Sequence, residues 1–413
     1  MKKALFTTLI LCGAVALILF AVFSWKNLRG IGPAFRMPPQ DIAQLIERPR
    51  AGTNAMGIPL TLPSGFSISI FAKGLGSPRV MVLDPAGNLL VSIPHQGMVV
   101  ALPDRNSDGI ADAVVTVISG LNRPHGLAFR CAPECRLYIA EEDQVNVYSY
   151  DQKGLKAVKE KKIADLPRGG NHVTRTLLFL PKPNDDQLLV SVGSSCNVCI
   201  EKDWRRAKIL VVPAEGGSPK TFASGLRNAV FMTIRPKTNQ VWVTEMGRDL
   251  LGDNLPPDEI NIIEQGKNYG WPFCYGKNVH DGDFDPDRLH ACREPETIPS
   301  HIDIPAHSAP LGLAFFPEKG WPEEFRYDLL VAYHGSWNRS IPTGYKIVRF
   351  RIDTEGTYRS VEDFVSGWLT REGNSLGRPV GIIIRPEGTI FVSDDKAGVI
   401  YRITRSTTAS MSR

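Results

Sequence analysis

Residues 225–274, GLRNAVFMTIRPKTNQVWVTEMGRDLLGDNLPPDEINIIEQGKNYGWPFC, contain the pattern that indicates the fold of the whole chain. Two short apolar runs lie within residues 226–245, and a polar Pro-Lys-Thr-Asn step separates them. Apolar β-formers on both sides of such a step are typical of a β-hairpin. The unit therefore predicts two antiparallel strands followed by a long polar loop.

The loop after the second predicted strand is rich in oxygen donors and glycine. Its acidic members are Asp253, Asp258 and Glu259. Calcium binds carboxylates and backbone carbonyls that sheet pairing leaves free, so this loop is a candidate calcium site. A solvated acidic loop is the alternative. Arg227 and Asn228, which open the unit, favour a binding site.

The same phrase recurs along the chain: a polar or Arg-Pro step, a small residue, an apolar run, a turn and a second apolar run. It begins near Ser77, Arg123, Thr174, Arg227, Ala309 and Arg378. The six units cover residues 64–404, and a propeller blade of four strands takes about 40–50 residues. The sequence predicts an all-β, six-bladed β-propeller with long loops, roughly residues 249–308 and 317–345, over one face.

The charge balance argues against a nucleic-acid partner. The formal net charge is +5, and four basic residues lie in the first thirty positions, which contain no acid. Removing those four from the 48 basic residues leaves 44 against 43 acidic residues. No basic stripe remains to bind phosphates, so we expect no nucleic-acid binding.

The N-terminus differs in texture from the rest of the chain. Lys2 and Lys3 precede an apolar run over residues 4–25, which is long enough to cross a bilayer. Residues 1–30 predict an uncleaved signal anchor with a cytoplasmic N-terminus, and a cleaved signal peptide is the alternative. Either way the body of the protein is exported, to the periplasm or to the periplasmic face of the inner membrane. Residues 31–60 predict a linker, residues 61–405 the propeller domain and residues 406–413 a disordered tail.

The cysteines are consistent with export. Apart from Cys12 in the apolar run, six cysteines form three sequence-local pairs: Cys131 with Cys135, Cys196 with Cys199, and Cys274 with Cys292. In an oxidising compartment we expect these pairs to be disulfides. A redox pair or half of a zinc site is the alternative for Cys196 and Cys199.

A second candidate calcium loop lies earlier in the chain. Oxygen donors occupy positions one, three, five and nine of an EF-hand-like loop, with glycine at six. These donors are Asp104, Asn106, Asp108 and Asp112. Position twelve is Val115, which cannot supply the bidentate acid, and no helices flank the loop. The pattern fits a structural calcium site or a plain polar turn.

Two histidines occupy matching points of neighbouring units. His172 precedes the first strand of the third unit, and His125 precedes that of the second. A neutral imidazole can accept a proton near neutral pH, whereas a hydrogen-bonded structural histidine is the alternative for each. Position alone does not choose between them.

A third group of side chains suits a planar, anionic ligand. Arginine binds carboxylates and tryptophan stacks on rings, although a packed turn explains the same residues. The group comprises His334, Trp337 and Arg339 after a strand of the fifth unit, and Arg378 and Lys396 in the last unit.

Several motifs in one order resemble the pyrroloquinoline quinone (PQQ)-dependent sugar dehydrogenases, and the sorbosone dehydrogenase-like branch in particular. The motifs are GLRNAV, EMGRD, DEIN, NYGWP, HGSWNRS, GRPVGI and SDDKAGVIYRI, and the similarity covers residues 60–404. DEIN and NYGWP are shared with soluble quinoprotein glucose dehydrogenases, whereas HGSWNRS and SSCNVC are more particular to the sorbosone-like branch. The resemblance implies a six-bladed propeller that binds PQQ and calcium.

The resemblance also assigns roles to individual residues. By motif, His172 resembles the base that takes the hydroxyl proton of the sugar while the hydride passes to the quinone. Arg227 resembles the arginine that holds the quinone oxygen and stabilises its negative charge. Further cofactor contacts are implied for Asn228, His334, Trp337, Arg339, Arg378 and Lys396.

Two calcium sites are implied as well. The carbonyls of Gly247 and Arg248 resemble ligands of a calcium ion that bridges to the quinone, and Asp258, Glu259 and Tyr269 resemble a second, structural site. Arg248 departs from the proline of the soluble glucose enzymes, and the pocket loops differ too, so the metal geometry and glucose as substrate do not carry over.

The sequence thus predicts a quinoprotein that oxidises a sugar or sugar-derived aldehyde. We expect the electrons to pass to a membrane quinone or a cytochrome, because the chain contains no CxxCH haem motif. A calcium-dependent lactonase-type propeller and a non-catalytic binding propeller are the alternatives.

Overall fold

The computed structural model describes residues 2–36, 59–288, 291–293 and 297–405. Within them, six four-stranded antiparallel sheets and one two-stranded hairpin follow one another along the chain. The predicted β-propeller is therefore confirmed, and each of the six repeated phrases opens one of the six sheets. The predicted tail, and the larger part of the predicted linker, lie outside the described residues.

Each blade takes four strands. Blade 1 contains β2 (Met81–Leu83), β3 (Leu89–Ile93), β4 (Met98–Leu102) and β5 (Val115–Ile118). Blade 2 contains β6 (Gly126–Cys131), β7 (Cys135–Ala140), β8 (Gln144–Asp151) and β9 (Lys156–Asp165). Blade 3 contains β10 (Leu177–Phe179), β11 (Gln187–Val192), β12 (Lys208–Pro213) and β13 (Lys220–Ser224).

The second half of the chain repeats this arrangement. Blade 4 contains β14 (Ala229–Ile234), β15 (Val241–Glu245), β16 (Asp258–Ile263) and β19 (Ile302–Ile304). Blade 5 contains β20 (Pro310–Phe315), β21 (Leu329–Tyr333), β22 (Lys346–Ile352) and β23 (Tyr358–Val365). Blade 6 contains β24 (Pro379–Arg385), β25 (Thr389–Asp394) and β26 (Val399–Arg405), and β1 (Phe66–Ala72) completes it.

The ring is closed by pairing the two ends of the propeller. Strand β1 lies antiparallel to β26, with Phe66 opposite Arg405 and Ile70 opposite Tyr401. The first strands of successive blades contact one another around the axis, and β24 contacts β2 to complete the circle. Closure leaves no long open sheet edge at the junction between the first and last blades.

The core follows from the β-branched and leucine-rich inner strands. Residues of β3, β11, β21 and β25 are almost wholly buried, whereas the outer strands β9 and β23 expose most of their residues. Each fully buried Val, Leu or Ile side chain contributes about 1.5–3 kcal/mol to folding. The inner strands are therefore the rigid support on which the loops of the axial face are built.

Antiparallel pairing decides which loops meet at the axis. The residues before the first strand of each blade lie at one end of the axis, and the loop after each second strand returns to that end. Residues 94–97, 193–207, 246–257 and 334–345 are four such loops. The loop of residues 103–114 follows the third strand of blade 1 and so lies at the opposite end.

Blade 4 carries the longest insertion. Residues 264–301 leave β16 and include the hairpin of β17 (Cys274–Tyr275) and β18 (Val279–His280). The insertion returns to the axial face, where Arg248 forms an ion pair with Asp281 at 3.1 Å. The insertion and the 246–257 loop therefore line one region, as the sequence predicted for this part of the chain.

The N-terminal segment forms helix α1 (Lys2–Asn27) and the short helix α2 (Gly32–Phe35). Residues 6–27 have a mean hydropathy of 2.6 and none of the apolar span is buried. This helix is long and apolar enough to cross a membrane, and a signal sequence has the same character. The three predicted disulfides are present, joining Cys131 to Cys135, Cys196 to Cys199, and Cys274 to Cys292.

Candidate active site

His172, Arg227 and Asn228 come together at the axial ends of blades 3 and 4. A Cβ placed on Gly193 would lie 2.6 Å from Cβ of His172 and 2.9 Å from Oδ1 of Asn228. Gly193 therefore allows the two side chains to approach each other across one backbone strand. The positive charge of Arg227 also acts on the imidazole of His172. The structure thus assembles residues that are 55 positions apart into one cluster.

The hydrogen bonds of His172 define which ring nitrogen is free. Nδ1 lies 3.0 Å from the carbonyl oxygen and 2.9 Å from Oγ of Ser194. Because a carbonyl only accepts, Nδ1 carries the proton and Nε2 keeps its lone pair. Among the described residues Nε2 makes no hydrogen bond, and His172 as a whole is only partly buried. Burial, together with the charge of Arg227, lowers the pKa of His172 to about 3.

Arg227 is held by a set of acceptors that the sequence did not indicate. Its Nε donates to the carbonyl of Asn197 at 2.9 Å, and Nη2 donates to Oδ1 of Asn197 and to Oδ2 of Asp249 at 2.9 and 2.8 Å. Nη1 donates to the carbonyl of Met246 at 3.3 Å. Four of the five guanidinium hydrogens are thereby used, which leaves one Nη1 hydrogen for a ligand.

Asn197 and Asp249 form a rigid bracket around this guanidinium. The Asp249 N–H donates to Oδ1 of Asn197 at 2.7 Å, and Nδ2 of Asn197 donates to the Asp249 carbonyl at 3.0 Å. Asn197 lies inside the ring that the Cys196–Cys199 disulfide closes. The side chains of Cys196, Cys199 and Glu201 lie close enough together to bind one metal ion. The disulfide removes both thiolates, so the zinc alternative finds no ligands here.

A small cavity lies beside Arg227 and is lined by four of the nine predicted calcium ligands. Its volume is about 20 Å³, and its lining includes Gly247, Arg248, Glu259, Tyr269 and Glu245. Among the described residues, no group donates a hydrogen bond to the carbonyl of Gly247 or of Arg248. Oε2 of Glu245 is buried there without a hydrogen-bond partner, and burial raises the pKa of this carboxyl well above its ordinary value. A cation would satisfy these oxygens.

The other acidic residues of this region already have partners. Asp258 accepts the N–H groups of Gly247 and Ala309 at 2.9 and 2.8 Å, so it shapes the loop from below. Glu259 accepts from the Gly276 N–H and from Asn261, and burial raises the pKa of both carboxyls to about 7.

Tyr269 lies in the same lining but its hydroxyl points back into the sheet. The hydroxyl donates to the Ile262 carbonyl at 2.6 Å and accepts the Glu264 N–H at 2.9 Å. The side-chain oxygen is therefore engaged, and the ring contributes bulk to the cavity wall.

A second polar cluster lies at the axial ends of blades 5 and 6. Nε2 of His334 lies 2.9 Å from Oδ1 of Asp395, and Nη1 of Arg79 lies 2.6 Å from Oδ2 of the same carboxylate. Against the effect of burial, the hydrogen bond from His334 and the charge of Arg79 hold the pKa of Asp395 below its ordinary value, whereas burial and Arg378 lower the pKa of His334 to about 4. Arg79 is a member of this cluster that the sequence did not single out as a ligand.

Arg378 and Lys396 border the second cluster. Arg378 donates to the carbonyls of His334 and Gly335 at 3.0 and 2.6 Å and lies over the ring of Tyr345. Nζ of Lys396 donates to the Pro33 carbonyl at 2.6 Å, so the N-terminal segment reaches this side chain.

Trp337 and Arg339 lie on the loop between the two clusters. Trp337 is 36% exposed. Arg339 turns away from the axis and donates to the Ala306 carbonyl and to Oδ1 of Asn254. The neighbouring Asn338 donates to Oδ1 of Asp249 at 3.1 Å and thereby ties this loop to the Arg227 bracket.

His125 lies one blade away from His172 in a different setting. Its side chain is 1% exposed, Nδ1 lies 3.2 Å from the Arg175 carbonyl, and the ring meets Phe231 edge-on. A cavity of about 360 Å³, which Arg79, Asp395 and Thr174 also line, adjoins it. Nε2 of His125 is buried without a partner among the described residues.

The second calcium loop is separate from these clusters. Asp104 accepts the N–H groups of Asp108 and Gly109, Asn106 pairs with Asp108, and Asp112 accepts the Arg105 N–H. The loop lies at the opposite end of blade 1 from the axial residues. Its oxygens support a closed polar turn and contribute nothing to the axial site.

Comparisons with known proteins agree with this architecture. The model of the TrAA12-like family matches residues 60–406. An uncharacterized protein of Borreliella burgdorferi is 32% identical over 356 residues, which cover 83% of this chain and 90% of that one. A pyrroloquinoline quinone-dependent pyranose dehydrogenase of Coprinopsis cinerea is 24% identical over 84% of this chain, which spans 54% of the length of that relative.

A solved structure has the same fold. The calcium structure of a Trichoderma reesei carbohydrate-active enzyme of family AA12 superimposes with a TM-score of 0.70 at 22% identity, over 84% of this chain and 97% of the other. The family model covers the propeller from one end to the other. This chain belongs to the TrAA12-like family.

Proposed function

We propose that this protein is a PQQ-dependent dehydrogenase of the sugar dehydrogenase type, with His172 as the base. The observation that carries the proposal is the fixed tautomer of His172, whose free Nε2 lies in one cluster with Arg227 and Asn228. Relatives such as the Coprinopsis pyranose dehydrogenase support the cofactor and the substrate class. PQQ, when bound, accepts the hydride of the sugar carbon.

The protein's own contribution begins with proton removal. A substrate hydroxyl that donates to Nε2 of His172 loses its proton to that nitrogen, while the Ser194 carbonyl holds Nδ1–H and fixes the ring. The low pKa keeps the imidazole neutral at ordinary pH, so the base is ready without a prior deprotonation. A low pKa also makes it a modest base, so the hydroxyl proton must leave as the carbon loses its hydride.

Arg227 supplies a preorganised positive charge beside the base. Its bracket of Asn197, Asp249 and Met246 leaves one Nη1 hydrogen, which we assign to the developing negative charge on the cofactor oxygen. Because the guanidinium is fixed before the reaction, little reorganisation is needed. The proximity of this charge to His172 also prevents the imidazole from being protonated in the resting enzyme.

The calcium ion fits the small cavity beside Arg227. We assign its ligands to the free carbonyls of Gly247 and Arg248 and to Glu245, whose Oε2 is otherwise unsatisfied. Glu259 and Tyr269 line the same cavity. Asp258 supports the Gly247 loop, and the ion pair of Arg248 with Asp281 forms part of the cavity wall.

The remaining predicted contacts would bind the carboxylate groups and the ring of the cofactor. Arg378, Lys396 and the ring of Trp337 lie on the loops that face the axis, and Asn228 lies next to His172. His334 would contact the cofactor indirectly, through its hydrogen bond to Asp395. Arg339 donates to Asn254 and so supports the 246–257 loop. Lys396 must exchange its Pro33 partner to reach a ligand.

The two alternatives differ from this proposal in what they need at the axis. A lactonase-type centre needs free carboxylates around a central metal, but Asp249 and Asp395 are each neutralised by an arginine. A binding scaffold does not account for a histidine with one nitrogen fixed and the other free. Export, with the propeller at the periplasmic face and electrons passed to a membrane quinone or cytochrome, belongs to the same proposal.

The test is a titration of the full-length protein in detergent with PQQ and calcium. Visible absorbance reports cofactor binding, and dye reduction across a panel of sugars and aldehydes reports turnover. We expect saturable, calcium-dependent binding and turnover that His172→Ala abolishes while binding persists. Folded, calcium-loaded protein that binds no PQQ would overturn the proposal, whereas binding without turnover on any substrate would overturn the sugar assignment.

A further inference from the structure

Two neighbouring loops of the axial face carry four exposed large apolar side chains. They are Leu250 and Leu255 on the 246–257 loop and Trp337 and Ile341 on the 334–345 loop, and we call them the rim. Their exposed fractions range from 36% for Trp337 to 70% for Ile341. A cluster of exposed apolar groups on loops beside a pocket indicates an interaction surface.

The two loops of the rim are fastened to each other. The Ser340 N–H donates to Oδ1 of Asp253 at 2.8 Å, and the Ser340 hydroxyl donates to the second oxygen of the same carboxylate. Asn338 and Arg339 make the contacts to Asp249 and Asn254 described above. The rim is therefore one surface with a fixed shape.

The end of the apolar helix α1 lies against this surface. A side-chain carbon at Gly252 would lie 3.4 Å from Cε of Lys26, and Asn27 is only 4% exposed. Residues 28–36, which we call the arm, continue across the same loops. A Cβ on Gly30 would collide with the carbonyl of Arg339, and Pro33 accepts the bond from Lys396.

The residues at this end of α1 are of the types found at the depth of the lipid headgroups. Trp25 is 67% exposed, and the Arg29 guanidinium lies 4.9 Å from the centre of its ring. Tryptophan and basic residues are enriched where a membrane helix leaves the hydrocarbon. Because Lys26 and Gly30 contact the 246–257 and 334–345 loops directly, the rim lies next to that level.

We propose that the rim rests on the bilayer that α1 spans, so that the axial cleft opens towards the lipid surface. The apolar side chains then enter the headgroup region, and the exposed, basic Lys26 and Arg29 face anionic lipid. For the proposed dehydrogenase, the consequence is an electron acceptor dissolved in the bilayer. That consequence rests on the proposed dehydrogenase activity, whereas the contact with lipid rests on α1 spanning the bilayer.

The test measures lipid contact in full-length protein held in nanodiscs of equal parts phosphatidylcholine and phosphatidylglycerol. In a Cys12→Ala background, single cysteines replace Leu255, Ile341 or the control Val158, and each is labelled with the fluorophore bimane. Val158 is 66% exposed on the outer strand β9, so it matches Ile341 in accessibility. Lipids with a nitroxide on the headgroup serve as the quencher.

We expect severalfold stronger quenching at positions 255 and 341 than at position 158. A Gly30→Leu variant, which alters no propeller residue, should displace the arm and lower the quenching at 341 while α1 keeps the protein in the disc. Equal quenching at 341 and 158 would overturn the proposal, as would quenching at 341 that Gly30→Leu leaves unchanged. The measurement needs no cofactor, so its failure is separate from a failure of the dehydrogenase assignment.

Discussion

The axial ends of blades 2 and 3 carry a histidine at the same point of the repeat, yet the two sites have different chemistry. Both histidines donate or approach a backbone carbonyl through Nδ1, at 3.2 Å in His125 and 3.0 Å in His172. Burial lowers the pKa of each to about 3. By repeat position and by pKa they cannot be told apart.

The difference lies in what surrounds Nε2. In His125 this nitrogen is buried without a hydrogen-bond partner among the described residues, whereas the His172 side chain is only partly buried and lies in one cluster with Arg227 and Asn228. A base must meet its substrate, so accessibility separates the two roles. The repeat therefore sets the backbone position of the histidine, whereas residues of the neighbouring blade set the environment of its side chain and so its chemistry.

The largest expected effect separates the two histidines in a loaded enzyme. His172→Ala removes the group that takes the proton, and we expect kcat to fall about 10²- to 10⁴-fold with little change in PQQ binding. His125→Gln should leave kcat within a few-fold of the native value. Steady-state dye reduction on both variants measures this. A larger loss of kcat in His125→Gln than in His172→Ala would reverse the assignment.

The next effect concerns the charge that distinguishes the His172 side. Arg227→Lys keeps the charge but loses the fixed fork of hydrogen bonds to Asn197, Asp249 and Met246. We expect kcat to fall about 10²- to 10³-fold, in the range found when one preorganised donor is removed. Arg123→Lys, at the corresponding step of blade 2 and more than half exposed, is the matched control and should be nearly silent. Unchanged kcat in Arg227→Lys would contradict the proposed electrostatic role.

A smaller effect on kcat should follow when the residues that hold Arg227 are altered while His172 and Arg227 themselves are kept. Asn197→Ala deletes the side-chain contacts to Arg227 and Asp249 but keeps the carbonyl that accepts from Nε. The expected loss in kcat is about tenfold, the size of one to two net hydrogen bonds. Mild reduction of the exported protein should act in the same direction if the Cys196–Cys199 ring shapes this loop. An effect on KM alone would argue against a positioning role.

The fold could be predicted from the sequence because each blade repeats the same local sequence pattern. Val, Ile and Leu runs bounded by turns specify strands, and a short step that contains arginine or proline recurs before the first strand of all six blades. Antiparallel pairing then places those steps at one end of the axis. Local pattern and ring closure thus agree, which explains why strand positions such as Val241–Glu245 follow the sequence closely.

The site was only partly readable, because its decisive contacts join distant loops. Arg227 and His172 were visible from motifs, but Asn197 and Asp249 act through side chains whose partners are 22 to 52 residues away. Arg339, for which the sequence predicts a cofactor contact, donates to the Ala306 carbonyl in the structure. The arm lies in a segment whose composition suggested a linker, although Pro33 receives the ammonium of Lys396. Composition and spacing carry no information about such contacts.

The last prediction concerns the free energy of unfolding, which the buried His125 should make dependent on pH. His125 has a folded pKa of about 3 and an unfolded pKa near 6.5, so between these values the unfolded chain binds more protons. Its contribution to stability is present above pH 6.5 and is lost as the pH falls. We expect His125→Gln to reduce the acid-side slope of the unfolding free energy by up to about 1.4 kcal/mol per pH unit. Urea unfolding at several pH values between 4 and 7 measures that slope, and an unaltered slope would show that His125 is reached by protons in the folded state.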